Sequence, residues 1–202
     1  MSAPVGFVVA GGRSVRMGRD KALLPWEGAT LLDHALGRLR SVCGDVRILC
    51  GPDPRYRDRG APVVLDRVPG AGPLAGLDAA LADVAGRPVL FLGVDLPFVT
   101  PGLLTFLAAG LAASDAVVPV VGGRPEPLCA AYGTACLQPV RSRLAVGERK
   151  MTSFWPDVRV RQVLDRELEA FGEPASLFRN LNTPQDFTGA QGQAGDKRRE
   201  TL

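Results

Sequence analysis

The chain has one histidine, His34, among 202 residues, and aromatic side chains make up only 6% of it. His34 lies in a leucine-rich stretch with no motif-borne nucleophile nearby, which excludes the Ser/His/Asp and Cys/His hydrolase constellations. Cysteine is sparse as well: Cys43, Cys50, Cys129 and Cys136 form no CxxC pair. With a single histidine this argues against a zinc site and for buried thiols in a reducing compartment. No apolar run approaches the ~18 residues of a membrane span. No charged leader segment precedes the strand-like start, so a cytoplasmic protein without membrane contact is expected. Long charge runs are missing too. Lys and Arg number 24 against 21 Asp and Glu, a net +3, and part of that excess is Lys197-Arg198-Arg199. No basic patch interleaved with aromatics marks a nucleic-acid face.

What the chain has in excess is glycine, 24 residues, and proline, 17, well above the usual ~7% and ~5%. Disorder does not follow, because 46% of the residues are hydrophobic and disordered chains lack apolar side chains to bury. Nor is there the third-residue glycine period of collagen. A chain of this length forms one domain with a sizeable core, and its glycines and prolines belong in defined turns between short elements.

Val5–Ala10 (VGFVVA) is a continuous apolar run, as expected for a strand buried on both faces of a parallel sheet. Strand-like runs recur at Val46–Cys50, Val63–Leu65, Val89–Val94, Ala116–Val121 and Cys129–Tyr132. Between them, Thr30–Val42, Leu74–Val84, Pro101–Ala113 and Cys136–Val146 read as helices. This alternation predicts right-handed βαβ units: an α/β, three-layer αβα, Rossmann-like and mostly parallel sheet. From about Gly122 the alternation loosens into an added subregion, and residues 188–202 read as a mobile tail.

A glycine- and arginine-rich segment, Gly11 to Lys21, follows the first strand. Glycines there let backbone N–H groups approach a phosphate chain without a Cβ in the way, while Arg16 and Lys21 supply cations. The spacing is not that of a P-loop. A solvated surface loop is the plain alternative, but ligands of open α/β sheets bind beyond the carboxyl ends of the strands. Asp95 closes the strand VLFLGV at such an end, where it either holds Mg²⁺ against nucleotide phosphates or caps the turn before Pro97. Asp66 ends a shorter strand, with a turn role as its alternative. Gly70 to Ala75 formally matches the dinucleotide fingerprint GxGxxA. However, Asp66-Arg67-Val68-Pro69 separates it from the strand, and Pro73 reads as a helix start, which weighs against an NAD enzyme. Asn180 and Asn182 flank Leu181, so in an extended segment both amides face one side and hold a ligand or orient a loop; turn chemistry around Thr183-Pro184 is the alternative. Trp26 and Trp155 fit either the core or the rim.

AGGRSVRMGRDKALL resembles the signature of the MobA-like nucleotidyltransferases. The resemblance continues in family order through LDRVPGAGPLAGL, GVDLPFV, EPLCAAY, GERK and NLNTPQD, from about Val5 to Phe187. It implies a nucleotidyltransferase domain at 1–187, with a nucleotide half at about 1–120 and an acceptor half at about 121–187. It implies catalytic roles for Lys21, Arg16 and Asp95, with Asp95 as the Mg²⁺ ligand. The implied nucleotide contacts are Val9, Ala10, Gly11, Gly12, Lys21, Asp66, Gly70, Gly72 and Asp95; the acceptor contacts are Asn180, Asn182, Arg149 and Lys150. Gly11-Gly12 and Asp20-Lys21 resemble the family's guanylyl branch. That branch transfers GMP from GTP to the terminal phosphate of molybdopterin or Mo-molybdopterin, alongside other cofactor-biosynthesis proteins and molybdoenzyme chaperones. A CTP-dependent relative is the rival within the class, and a non-catalytic nucleotide-binding protein the rival outside it.

Overall fold

The computed structural model describes residues 2–11, 20–68, 70–84 and 86–181. Along the first half run β1 (Val5–Val9), β2 (Pro25–Trp26), β3 (Ala29–Thr30), α1 (Leu31–Arg40), β4 (Val46–Leu49) and β5 (Val63–Val64). Then come α2 (Pro73–Asp83), β6 (Val89–Gly93), α3 (Pro101–Gly110) and β7 (Ala116–Val121). The remainder holds β8 (Arg124–Pro125), β9 (Cys129–Tyr132), α4 (Leu137–Ala145), β10 (Val160–Leu164), α5 (Asp165–Leu168) and α6 (Pro174–Leu177).

The main sheet has eight strands in the order β10-β7-β9-β6-β1-β4-β5, with β8 beside β7. The pairings β10–β7, β6–β1, β1–β4 and β4–β5 are parallel, while β9 runs antiparallel between β6 and β7. The expected mostly parallel α/β sheet is therefore present. The loosening seen near Gly122 corresponds to β8 and the reversed β9. β10 escaped the sequence reading. Its residues VRQVL carry charge and amide between the apolar positions, and only Val163 is buried, as suits an edge strand.

Side chains alternate across the central strands and feed two apolar layers. Val8, Ile48, Leu90 and Leu92 face the layer filled by Leu32, Leu36 and Leu39 of α1 and Leu103, Leu104 and Leu107 of α3. Phe7, Leu49, Val89 and Phe91 face the opposite layer with Leu74 and Leu77 of α2 and Val140 of α4. α1 begins with a reciprocal cap: the Thr30 side chain accepts from Asp33 N, and the Asp33 side chain accepts from Thr30 N. Trp26 is buried and meets Phe98 edge-on, its ring centre 5.7 Å away. The ring nitrogen Nε2 of His34 lies 2.7 Å from the Trp26 carbonyl oxygen, so this histidine is a packing residue of α1. All four cysteines are free and buried.

Register decides where the site lies. Val9 sits opposite Leu49 on one side and Gly93 on the other, so β1, β4 and β6 end level. Ala10 N donates to Leu49 O, Val94 N to Val9 O, and Asp66 N to Gly51 O. These bonds carry the alignment one residue beyond the strands and gather Ala10, Gly51, Asp66 and Asp95 on one carboxyl edge.

Candidate active site

The first contact on this edge joins two residues far apart in sequence. Lys21 Nζ donates to Asp95 Oδ2 at 3.0 Å, with both side chains largely enclosed. Asp95 stands two residues past the end of β6, and its Oδ1 lies back over Gly93, only 2.8 Å from where a Cβ at that position would stand. The main chain of Asp95 is also fixed, because Leu181 N donates to its carbonyl oxygen at 3.2 Å. Asn180 is thereby brought beside Asp95, and the Arg179 guanidinium lies 4.7 Å over the Phe98 ring in the turn that follows Asp95.

Gly11 is packed so closely against the turn after β4 that a Cβ would meet Gly51 N at 3.2 Å. The glycine here is needed for close approach of two backbones. Gly70 and Gly72 both hold positive φ, 74° and 68°. Gly72 caps α2 without a side-chain hydrogen bond, and Pro73 opens that helix as expected. Pro73 carries no N–H and Ala75 N donates to Gly72 O at 3.1 Å, so this end favours an anion chiefly through the helix dipole.

Asp66 lies between the two glycine-bearing turns, its Oδ1 3.6 Å from the place a Gly76 Cβ would take. Burial alone pushes its carboxyl above the usual range, and no hydrogen bond satisfies that carboxylate among the described residues. Glu126, just before β9, is a neighbour of the site that the motif reading passed over as part of EPLCAAY. Burial first, and the negative charge of Asp95 second, raise its carboxyl as well. Its signal in the sequence was position alone, at the mouth of a strand adjacent to β6.

The structure thus brings Val9, Ala10, Gly11, Lys21, Asp66, Asp95 and Asn180 to one carboxyl edge, with Gly70 and Gly72 on the turn that opens α2, the helix whose Gly76 adjoins Asp66. Gly12, Arg16 and Asn182, like residues 188–202, lie outside the described residues. Arg149 and Lys150 are exposed in the loop after α4, and no described contact joins them to Asp95 or Asn180.

A divalent cation fits this site by its chemistry. Mg²⁺ takes hard oxygen donors and commonly uses one or two carboxylates, with waters and substrate phosphates completing the shell. Asp95 supplies such an oxygen, although no cluster of three or more metal-binding side chains occurs among the described residues.

Glycine-bearing turns, a helix N-terminus reached through glycine and a lysine–carboxylate pair on the carboxyl edge of a mostly parallel sheet define an α/β enzyme that handles nucleoside phosphates. The chain belongs to the MobA-like NTP transferase domain family, whose model matches residues 6–163; it is a nucleotidyltransferase. A probable molybdenum cofactor guanylyltransferase of Pelotomaculum thermopropionicum is 34% identical over 198 residues, covering 98% of this chain and 97% of the relative. One from Deinococcus radiodurans is 38% identical over 190 residues, covering 92% and 93%. Among solved structures, molybdopterin-guanine dinucleotide biosynthesis protein A from Archaeoglobus fulgidus matches with a TM-score of 0.79 at 25% identity, over 95% of this chain and 99% of that one. A 2-C-methyl-D-erythritol 4-phosphate cytidylyltransferase from Thermus thermophilus shares the fold, with a TM-score of 0.69 at 22% identity over 96% and 99% of the two chains.

Proposed function

We propose that the protein transfers the guanylyl group of GTP to the terminal phosphate of molybdopterin, or of its molybdenum-loaded form, and releases pyrophosphate. The observation that carries this reading is the Lys21–Asp95 pair, 3.0 Å apart on the carboxyl edge beside Gly11. It sets a cation for phosphate oxygens and a carboxylate for Mg²⁺ within one small region. The named guanylyltransferase relatives support the choice of substrates.

The base is read at Asp66. Guanine presents adjacent N1–H and 2-amino donors, and a half-buried carboxylate with no hydrogen-bond partner among the described residues accepts from both. The α2 N-terminus and the Gly70–Gly72 turn hold the nucleotide close to that carboxylate.

In the reaction an oxygen of the acceptor phosphate attacks the α-phosphorus. The new P–O bond forms as the bond to the β-phosphate oxygen breaks, and pyrophosphate carries away the electron pair. A phosphate monoester has a second pKa near 6, so at pH 7 the attacking oxygen is already ionised and no histidine base is needed. Alignment and charge stabilisation remain for the protein to supply. Lys21, with Arg16, neutralises the departing phosphates, and Asp95 orients the metal. When bound there, Mg²⁺ polarises the α-phosphate and screens the leaving group. Asn180, Asn182, Arg149 and Lys150 receive the acceptor. This divides the domain at 1–187 near residue 120 into nucleotide and acceptor halves and fits an enzyme of the cytoplasm that hands its product to cofactor-biosynthesis proteins or molybdoenzyme chaperones.

The test is to supply the protein with Mg²⁺, molybdopterin and each nucleoside triphosphate in turn, and to measure pyrophosphate. Release with GTP that depends on molybdopterin is expected. Release with CTP in its place overturns the guanylyl reading.

A further inference from the structure

Asp20, immediately before Lys21, is held by three residues. Tyr56 Oη donates to both of its carboxylate oxygens, at 2.8 and 2.7 Å, and Ala22 N donates to Oδ1 at 3.1 Å. Arg55 Nη1 reaches Oδ2 at 3.3 Å. The second arm of the same guanidinium donates to Ala10 O at 3.4 Å and to Cys50 O at 3.1 Å. One planar fork therefore spans the end of β1, the end of β4 and the residue that precedes Lys21. The two clamping residues are themselves fixed. Tyr56 is 7% exposed, carries a left-handed φ of 65°, and has the Arg55 guanidinium 5.1 Å from its ring centre. Burial, reinforced by the Asp20 carboxylate, holds the phenol protonated, so Tyr56 remains a donor. A non-glycine residue in that conformation persists only where its surroundings over-determine it.

We propose that Arg55 and Tyr56 are positioning residues for the nucleotidyl transfer, which hold Lys21 in register with Asp95 by clamping Asp20 to the ends of β1 and β4. The short 3-10 turn at Lys21–Leu23 begins at Asp20, whose side chain caps it. A shift of Asp20 relative to Ala10 is therefore a shift of Lys21 relative to β6. Arg suits this post because its rigid fork presents several N–H groups at once; a lysine ammonium at position 55 cannot span the same oxygens. Both residues sit in PDPRYRDRG, a stretch that reads in the sequence only as a polar connection between β4 and β5.

This inference rests on the transfer reaction proposed above, and its test keeps the two apart. Tyr56→Phe and Arg55→Lys are each made in the wild-type and in the Lys21→Ala background and assayed with whichever triphosphate the wild type uses. In the wild-type background kcat falls about 10- to 100-fold, the scale of a misplaced catalytic group, while KM for the triphosphate changes little. In the Lys21→Ala background the same substitutions have no further effect, because the clamp acts through a side chain already removed. An equal loss in both backgrounds, or an unchanged kcat in the folded variants, overturns the proposal. A second readout needs no turnover. The chain has lysines only at positions 21, 150 and 197, and acetylation followed by peptide mass analysis reports on each. Tyr56→Phe should raise the Lys21 rate toward that of exposed Lys150 and leave Lys150 unchanged; equal Lys21 rates in wild type and variant count against the clamp even if the wild type proves inactive toward every triphosphate.

Discussion

The Lys21–Asp95 side of the molecule and the β7–β9–β10 side use charge differently. On the first, Lys21–Asp95 and Asp20–Arg55 join distant segments beneath the carboxyl edge, and no partner is more than 35% exposed, whereas each pair on the second has a partner at least 42% exposed. On the second, Arg143–Asp157, Arg159–Asp115 and Arg161–Glu167 are more open pairs that decorate the surface. Its loop after α4 carries Val146, which is 72% exposed, followed by Gly147, Glu148, Arg149 and Lys150. Enclosed pairs fix geometry because few waters compete for them, whereas exposed pairs add little. The side proposed to hold nucleotide is thus assembled in advance, and the side proposed to receive the acceptor presents an exposed loop with Arg149 and Lys150. The two halves also differ in glycine use: Gly11 allows a close backbone approach, while Gly147, at φ 81°, ends α4.

Lys21→Ala gives the sharpest contrast. Turnover measured as pyrophosphate release should fall by about 10²–10³, the usual cost of removing a preorganised charge-stabilising group, with the circular dichroism spectrum unchanged. Near-normal turnover would break the assignment of the enclosed pair to catalysis. Next in size, Arg149→Ala with Lys150→Ala should raise KM for the acceptor about tenfold through lost charge-assisted contacts to its phosphate, and leave KM for GTP unaltered. A joint rise in both constants would erase the distinction between the halves.

Asp66→Asn separates binding from stability. Its affinity for GTP should fall about tenfold in calorimetry, the equivalent of one hydrogen bond to a charged group. Because burial raises the folded-state pKa, ionised Asp66 costs stability above that value. The variant should therefore melt higher than wild type at pH 7, and the gain should close as pH falls toward the ordinary carboxyl value of 3.8. The smallest effect belongs to the surface pair. Arg159 holds the Asp115 carboxyl down to about 2 through its side-chain and backbone N–H groups. A lowered pKa gives stability that is present above 3.8 and lost as pH falls through about 2. Arg159→Ala should lower the melting temperature slightly at pH 7, with that difference fading near pH 2 and kcat unchanged throughout.

Particular elements show what was legible. The run VLFLGV announced both a doubly covered strand and, at its end, Asp95, because a central parallel strand is apolar throughout and stops where a charge appears. Lys21 stood out through the glycines before it, but its pairing with Asp95, 74 positions away, did not. β10 was hidden because an edge strand need not be apolar. Glu126 reads only as part of the block EPLCAAY until β9 is found lying antiparallel against β6.

Local pattern alone determined the layered α/β architecture, the α1 cap at Thr30, the helix start at Pro73, and the placing of glycines and carboxylates at strand ends. These depend on side-chain periodicity and on the conformational freedom of single residues, which neighbours in sequence already reveal. Only the tertiary structure decided that Asp20 is shared between Tyr56 and Arg55, that Asp66 has no hydrogen-bond partner among the described residues, and that Lys21 meets Asp95. Each of these is a contact between segments whose distance is set by the level endings of β1, β4 and β6, and register between strands is a property of the assembled sheet.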